Sequence, residues 1–159
     1  MEQEILNSYT KLNSLNVSRE TFFDFESFIS MIIEKNKEIN IISQETAKNS
    51  SIRERHIIDS AQIIDFVDLN SNTTTDLGTG GGMPGIIIAI MLKNMKKDIK
   101  VNLYEKSHHK SVFLREVSTK LKLKTEIFQE NIFDLKKLET GTIMSRAFKP
   151  MPVVLDLVH

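Results

Sequence analysis

Between Ser18 and Asn40 the apolar residues Phe22, Phe25, Ile29, Ile32 and Ile33 recur three and four positions apart, which predicts an amphipathic helix over 18–40. Ser18 stands where a helix cap is wanted, with Glu20 in the first turn. A second helical pattern over 51–67 carries Ile57, Ile58, Ala61 and Ile64 on one side and ends in the turn-like LNSNTT. After residue 72 the periodicity changes. Short strand-like runs at 73–77, 99–105, 124–129 and 141–146 alternate with helical stretches at 84–95 and 108–122, the latter with Phe113, Leu114, Val117 and Leu121 as its buried stripe. Strands separated by helices of that length predict βαβ units and a parallel sheet, whose ligands bind beyond the carboxyl ends of the strands. The expected organisation is an N-terminal helical extension, 1–70, joined to an α/β unit, 71–159, as one compact body.

Composition narrows the function classes. A chain of 159 residues with 40% hydrophobic and 26% charged residues can bury one core and fold alone. It has no cysteine, so disulfides and cysteine-based metal sites are excluded, and its four scattered histidines give no metal spacing. A reducing cytoplasm is the expected setting, and no metal is expected. The acidic, polar start MEQEILNSYTKL does not read as a signal peptide, and no apolar run nears the roughly 18 residues of a membrane span. The zero net charge is unevenly spread. Residues 1–45 hold four Lys/Arg against eight Asp/Glu, whereas residues 93–124 hold ten against three, an excess that suits a polyanionic partner once a second signal supports one.

The candidate chemistry begins with TTTDLGTGGGMPGIIIAI, residues 73–90, which holds five of the six glycines. A strand, a glycine turn and a helix let backbone approach a ligand, with the helix N-terminus offering free N–H groups. Gly78, Gly80 and Gly82 remove obstructing side chains, and Gly85 follows beside Pro84 at the helix start. A triphosphate loop would need GxxxxGK, and Met83 and Pro84 lie there instead. A dinucleotide fingerprint is loosely approximated by Gly80, Gly82 and Gly85 and stays open. Asp76, Gly78, Gly80 and Gly82 match Asp-x-Gly-x-Gly-x-Gly in full. This resembles motif I of class I S-adenosylmethionine-dependent methyltransferases, where an acid suits an ammonium and a sulfonium and would repel a pyrophosphate. Glu105, ending the second strand, stands where either architecture places an acid for two ribose hydroxyls. Asn131, Ile132 and Phe133 follow the third strand, where an adenine would be lined, with Phe133 the best candidate of the three for a core residue.

Five segments, NKEINIISQET (36–46), RHIIDSAQ (55–62), DLGTGGGMPGIIIAI (76–90), EKSHHKSVFLREV (105–117) and SRAF (145–148), resemble in order the segments of the ribosomal RNA small subunit methyltransferase G family, also called glucose-inhibited division protein B. The resemblance implies a Rossmann-like class I methyltransferase sheet with helices on both faces. It also implies S-adenosylmethionine as methyl donor and methylation of guanine N7 in a loop of 16S ribosomal RNA, with that RNA or the small subunit as partner. It places Gly78, Met83, Ile132, Phe133 and Arg146 on cofactor contacts, and Lys110 and Arg146 near the cofactor or the RNA. His56, Asp59 and Ser60 match RHxxDS, as a pocket wall or as structural contacts of the helical extension. Guanine N7 needs no deprotonation, so no catalytic nucleophile or base is assigned and the expected mechanism is positioning. The family core has seven strands and four are found here, so the sheet is expected to be incomplete at the C-terminus and the protein monomeric unless another chain completes it. The alternatives are an inactive, truncated S-adenosylmethionine-binding remnant, a nicotinamide-dependent oxidoreductase and a small-molecule methyltransferase.

Overall fold

The computed structural model describes residues 1–48, 52–135, 137–146 and 150–158. The chain opens with α1 (Glu2–Ser8), a 3-10 turn (Thr10–Leu15), α2 (Arg19–Lys35) and the short α3 (Gln44–Lys48). A continuous helical rod follows, π-helical over Arg53–Ile58, α-helical in α4 (Asp59–Ala61) and 3-10 over Gln62–Phe66. The remainder alternates as β1 (Thr73–Leu77), α5 (Gly85–Asn94), β2 (Lys100–Tyr104), α6 (His108–Lys120), β3 (Thr125–Phe128), a 3-10 turn (Ile132–Asp134), β4 (Thr142–Met144) and α7 (Met151–Val158).

All pairings are parallel and the strand order is β3-β2-β1-β4, so the chain steps outward from β1 through β2 to β3 and then crosses back to the other side of β1. Opposite β1 and β4 is the switch point at which such sheets open a ligand crevice. The pleat turns Val101 and Leu103 of β2, Met144 of β4 and Asp76 of β1 toward one face, since Asp76 is in register with Leu103 and Met144. That face carries the main core. The helix α5 is apolar around its whole circumference, as a helix buried on every side must be, and Gly85 through Leu92 are all buried. Its outer side is covered by α2 and α4. One hydrophobic cluster therefore runs from Tyr9 and Phe25 of the helical extension through Ile86 and Ile90 to Val101 of the sheet. The opposite face carries a smaller cluster, Leu77, Tyr104 and Ile132, with Phe128, Leu135 and Ile143 packed on it.

The strand and helix expectations hold within two residues at most ends, and three details of α2 differ. The helix stops at Lys35 because the buried Asn36 turns its side chain on the following loop. Its Oδ1 accepts from the Ile41 and Ile42 N–H groups (2.7 and 3.0 Å), and its Nδ2 donates to the Ile42 carbonyl. Ile33 was expected on the buried stripe and is 43% exposed. Phe28 takes that place, because it falls between Phe25 and Ile32 on the same face and Ile33 lies a further 100° around. Ser18 does occupy the cap position, but its hydroxyl pairs with the Thr21 hydroxyl (3.1 Å) and does not accept a helix N–H.

Candidate cofactor and active site

A cavity of about 860 Å³ opens at the carboxyl ends of β1, β2 and β3. Gly78, Gly80 and Met83 of the glycine turn line it, with Glu105 and Lys110 after β2, Asn131, Ile132 and Phe133 after β3, Arg146 after β4, and His56 from the π-helical segment. These are ten of the fourteen positions that the sequence singled out. Asp76, Gly82, Asp59 and Ser60 are not among the lining residues.

Asp76 was expected to face the ligand. The pleat directs it instead toward α5, where it is fully buried and its Oδ2 accepts the Gly85 N–H at 2.8 Å. Burial pushes its carboxyl up to about 6, against the opposing pull of the nearby Thr79 hydroxyl and of the Gly85 N–H. Asp76 Oδ1 and Thr79 Oγ1 are both buried and make no hydrogen bond among the described residues. The start of α5 is likewise occupied by the protein, since the Ile86 N–H donates to the Gly82 carbonyl (2.7 Å), so the expectation that this helix end offers free donors to a ligand is corrected.

The glycines divide by task. Gly78, Gly80 and Gly82 have φ of 70°, 59° and 99°, the left-handed region that side chains disfavour. A Cβ on Gly80 would meet nothing within 4 Å, so this position is open toward the cavity. On Gly82 it would lie 2.6 Å from Ile86 Cγ1 and 3.0 Å from Leu114 Cδ2, so Gly82 serves packing between α5 and α6. Gly81, which the motif did not single out, would place a Cβ 2.9 Å from Ile41 Cγ2, and its bareness lets the loop organised by Asn36 press onto the turn. That loop and the α3 helix after it deliver Ile42, Ser43 and Thr46 to the cavity wall, a contribution that no local pattern announced.

Glu105 is held by its surroundings. Its Oε2 accepts the Gly80 N–H (2.9 Å) and its Oε1 accepts the Ser107 N–H (2.8 Å), while the Ser111 hydroxyl donates to its carbonyl (3.0 Å). Ser107 caps α6 by accepting from the Lys110 N–H. Each carboxylate oxygen retains a second lone pair, so the group can still accept from a vicinal diol. Ile132 is buried and Phe133, the expected core candidate, is 49% exposed on the cavity rim; Asn131 Oδ1 accepts the Phe133 N–H (3.2 Å). Tyr104 stacks on Phe128 with centroids 4.7 Å apart and adds an apolar floor.

On the β4 side Arg146 joins the sheet to the helical rod. Its guanidinium donates to His56 Nδ1 and to Ser60 Oγ (3.5 Å) and lies 3.8 Å from Asp59 Oδ2. Asp59 and Ser60 thus meet Arg146 from the rod and do not themselves line the cavity. A guanidinium only donates, so Nδ1 carries the lone pair and the proton of the neutral imidazole is on Nε2. Burial and the Arg146 charge hold the His56 pKa below its ordinary value, in keeping with that neutral form. Of SRAF, Ser145 and Arg146 are described, and Ala147 and Phe148 lie outside the described residues.

The family model for rRNA small subunit methyltransferase G (GidB) matches residues 22–159. The chain belongs to this family of methyltransferases. It is 66% identical over 157 residues to the ribosomal RNA small subunit methyltransferase G of Pelagibacter ubique (strain HTCC1062), covering 99% of this chain and 74% of that protein. To the protein of that name from Bartonella tribocorum it is 36% identical over 162 residues, again covering 99% and 74%. The chain thus spans about three quarters of the length of these relatives. Among solved structures, a protein-L-isoaspartate O-methyltransferase from Plasmodium falciparum in complex with S-adenosyl-L-homocysteine has a TM-score of 0.49 at 15% identity, covering 83% of this chain and 79% of that one. Family membership leaves no support for the nicotinamide alternative.

Proposed function

We propose that this protein transfers a methyl group from S-adenosylmethionine to guanine N7 in a loop of 16S ribosomal RNA. The observation that carries the reading is the cavity at the carboxyl ends of β1, β2 and β3, which brings the open Gly80, the anchored Glu105 and the Asn131–Phe133 segment together in a chain of this family.

The residues fit the donor. Glu105 has spare lone pairs for the ribose hydroxyls, Ile132 and Phe133 supply apolar surface for an adenine ring, Asn131 stands at its edge, and Gly78, Gly80 and Met83 line the passage toward Arg146. When bound, S-adenosylmethionine supplies an electrophilic methyl group carried on a sulfonium. Guanine N7 has an in-plane lone pair on the major-groove edge and attacks without losing a proton. The protein's contribution is therefore geometric, and holding two reactants in line can account for roughly 7 to 11 kcal/mol of a barrier. His56, neutral, presents Nε2–H as the donor left after Nδ1 is taken by Arg146, which suits an acceptor on the base without adding positive charge where the methylated guanine gains it. Lys106 and Lys110 line the same cavity and suit backbone phosphates of an unpaired loop. The partner is the small ribosomal subunit or its RNA, the setting the cytoplasm, and the protein acts as a monomer in which residues 1–70 and 71–159 move as one unit. No helix among the described residues is long and apolar enough to cross a membrane.

The test is transfer of radiolabelled methyl from S-adenosylmethionine to small subunits taken from cells lacking the family enzyme, followed by chemical cleavage at 7-methylguanine. Label at a single loop guanine is expected. Label confined to protein, to small molecules or to another base atom refutes the reading, and absence of label from a chain that binds S-adenosylhomocysteine restores the inactive remnant.

A further inference from the structure

The basic stretch 93–124 divides between the two ends of the sheet. Lys106 and Lys110 line the cavity. The helices α5 and α6 run against the strands, so their carboxyl ends bring Lys93, Lys96, Lys97, Lys122 and Lys124 together at the amino ends of β2 and β3. There they ring a separate concavity of about 280 Å³ that also touches Ala89, Asp98 and Ile99. At about 3.3 Å per residue, β2 alone puts more than 10 Å between the two basic sites.

Two of these lysines have ordinary explanations. Lys93 pairs with Asp24 (2.6 Å) and donates to the Leu121 carbonyl (2.9 Å), and Lys124 pairs with Asp98. A cation in the last turn complements a helix dipole, and Lys93 and Lys120 already fill that role for α5 and α6. Lys96, Lys97 and Lys122 are different. All three are exposed and have no ion pair or side-chain hydrogen bond among the described residues. Lys96 and Lys122 also have φ of 56° and 54°, each just past the end of its helix where glycine is the favoured residue. The same backbone bonds close both ends: the Lys97 N–H donates to the Leu92 carbonyl and the Leu123 N–H to the Ser118 carbonyl, both at 2.9 Å. At both helix ends the chain thus holds an exposed lysine in a conformation unfavourable for it, with like charges around a shared hollow, and stability gives no reason for either.

Resting on the rRNA reading above, we propose that this lysine ring is a second RNA contact, which grips the phosphate backbone at the end of the sheet opposite the cavity and so orients the substrate. A ring of ammonium groups without an aromatic side chain fits phosphates and offers no platform for stacking bases, so the contact is independent of sequence.

The double variant Lys96→Gly, Lys122→Gly separates this role from stability, because glycine relieves the left-handed conformation while removing the charge. Its unfolding midpoint in urea should rise and its affinity for S-adenosylhomocysteine should stay within twofold. Its affinity for a 16S ribosomal RNA transcript at 100 mM salt should fall about tenfold, and the slope of log K against log salt should drop by about 1.5 to 2. RNA affinity and slope equal to those of the unsubstituted protein overturn the second contact and leave the methyltransferase reading standing. Loss of S-adenosylhomocysteine binding along with RNA binding overturns it too, since the lysines would then act through the fold. An unsubstituted protein that binds S-adenosylhomocysteine but no ribosomal RNA overturns both.

Discussion

Replacing Asp76 with asparagine should make the protein more stable at neutral pH, and by an amount that depends on pH. The carboxyl is wholly buried and accepts the Gly85 N–H through Oδ2, an interaction that an asparagine amide oxygen reproduces. Its other oxygen makes no hydrogen bond among the described residues, nor does the Thr79 hydroxyl, which lies near enough to favour the ionised carboxyl, so the asparagine NH2 gains a candidate acceptor in Thr79 Oγ1. What the substitution removes is the cost of a buried charge. Moving a carboxyl from 3.8 in the unfolded chain to about 6 in the folded one corresponds to about 3 kcal/mol. Below 3.8 both states are protonated and nothing is lost. Between 3.8 and about 6 the unfolded chain releases its proton while the folded one retains it, so stability falls as pH rises, and above about 6 the full cost is present. The advantage of Asp76→Asn over the native residue should therefore be about 1 kcal/mol at pH 4.5 and about 3 kcal/mol at pH 7.5. Urea unfolding of both proteins at the two pH values, followed by circular dichroism, measures the difference, and every other titrating group cancels between them. An advantage that does not change with pH, or an asparagine variant less stable at pH 7.5, would refute the reasoning.

Three further outcomes are expected. Gly82→Ala should cost about 2 to 3 kcal/mol in urea unfolding, because its Cβ would enter Ile86 and Leu114 from a left-handed backbone, whereas Gly80→Ala should cost about 1 kcal/mol from the backbone alone; equal losses would contradict the division of tasks. Glu105→Gln should weaken S-adenosylhomocysteine binding at least tenfold by calorimetry while costing about 1 to 2 kcal/mol of stability, and undiminished binding would remove Glu105 from the cofactor site. His56 has a folded pKa lowered from 6.5, so the unfolded chain takes up its proton first and stability drops as pH falls below about 6.5. His56→Asn should lack that drop in a thermal scan series, and an unchanged pH profile would show that His56 does not titrate as described.

The order of elements was legible because period and punctuation are local. Alternation of short strand-like runs with helical stretches pointed to a parallel α/β sheet, and the apolar stretch after Pro84 is a helix as expected, whose burial on every side the packing then showed. Five glycines in eight positions marked the turn, and Glu105 was readable because the residue just beyond a strand end falls at the ligand edge of such a sheet. The same locality explains the misreadings. Motif spacing is silent about which side of the pleat a residue takes, and Asp76 went to α5 because its register with Leu103 and Met144 put it on that face. Gly78, Gly80, Gly81, Gly82 and Gly85 look alike in sequence, yet what each would touch depends on helices and loops far along the chain. Ile42 and Ser43 reach the cavity only through the loop that Asn36 ties, and Arg146 meets His56 from 90 positions away. The basic stretch, continuous in sequence, was parted by the antiparallel run of helices against strands, which sends residues at opposite ends of one helix to opposite ends of the sheet. Secondary structure follows from interactions a few residues long, which the sequence displays; the direction in which each side chain points follows from contacts between distant segments, which only the packed structure determines.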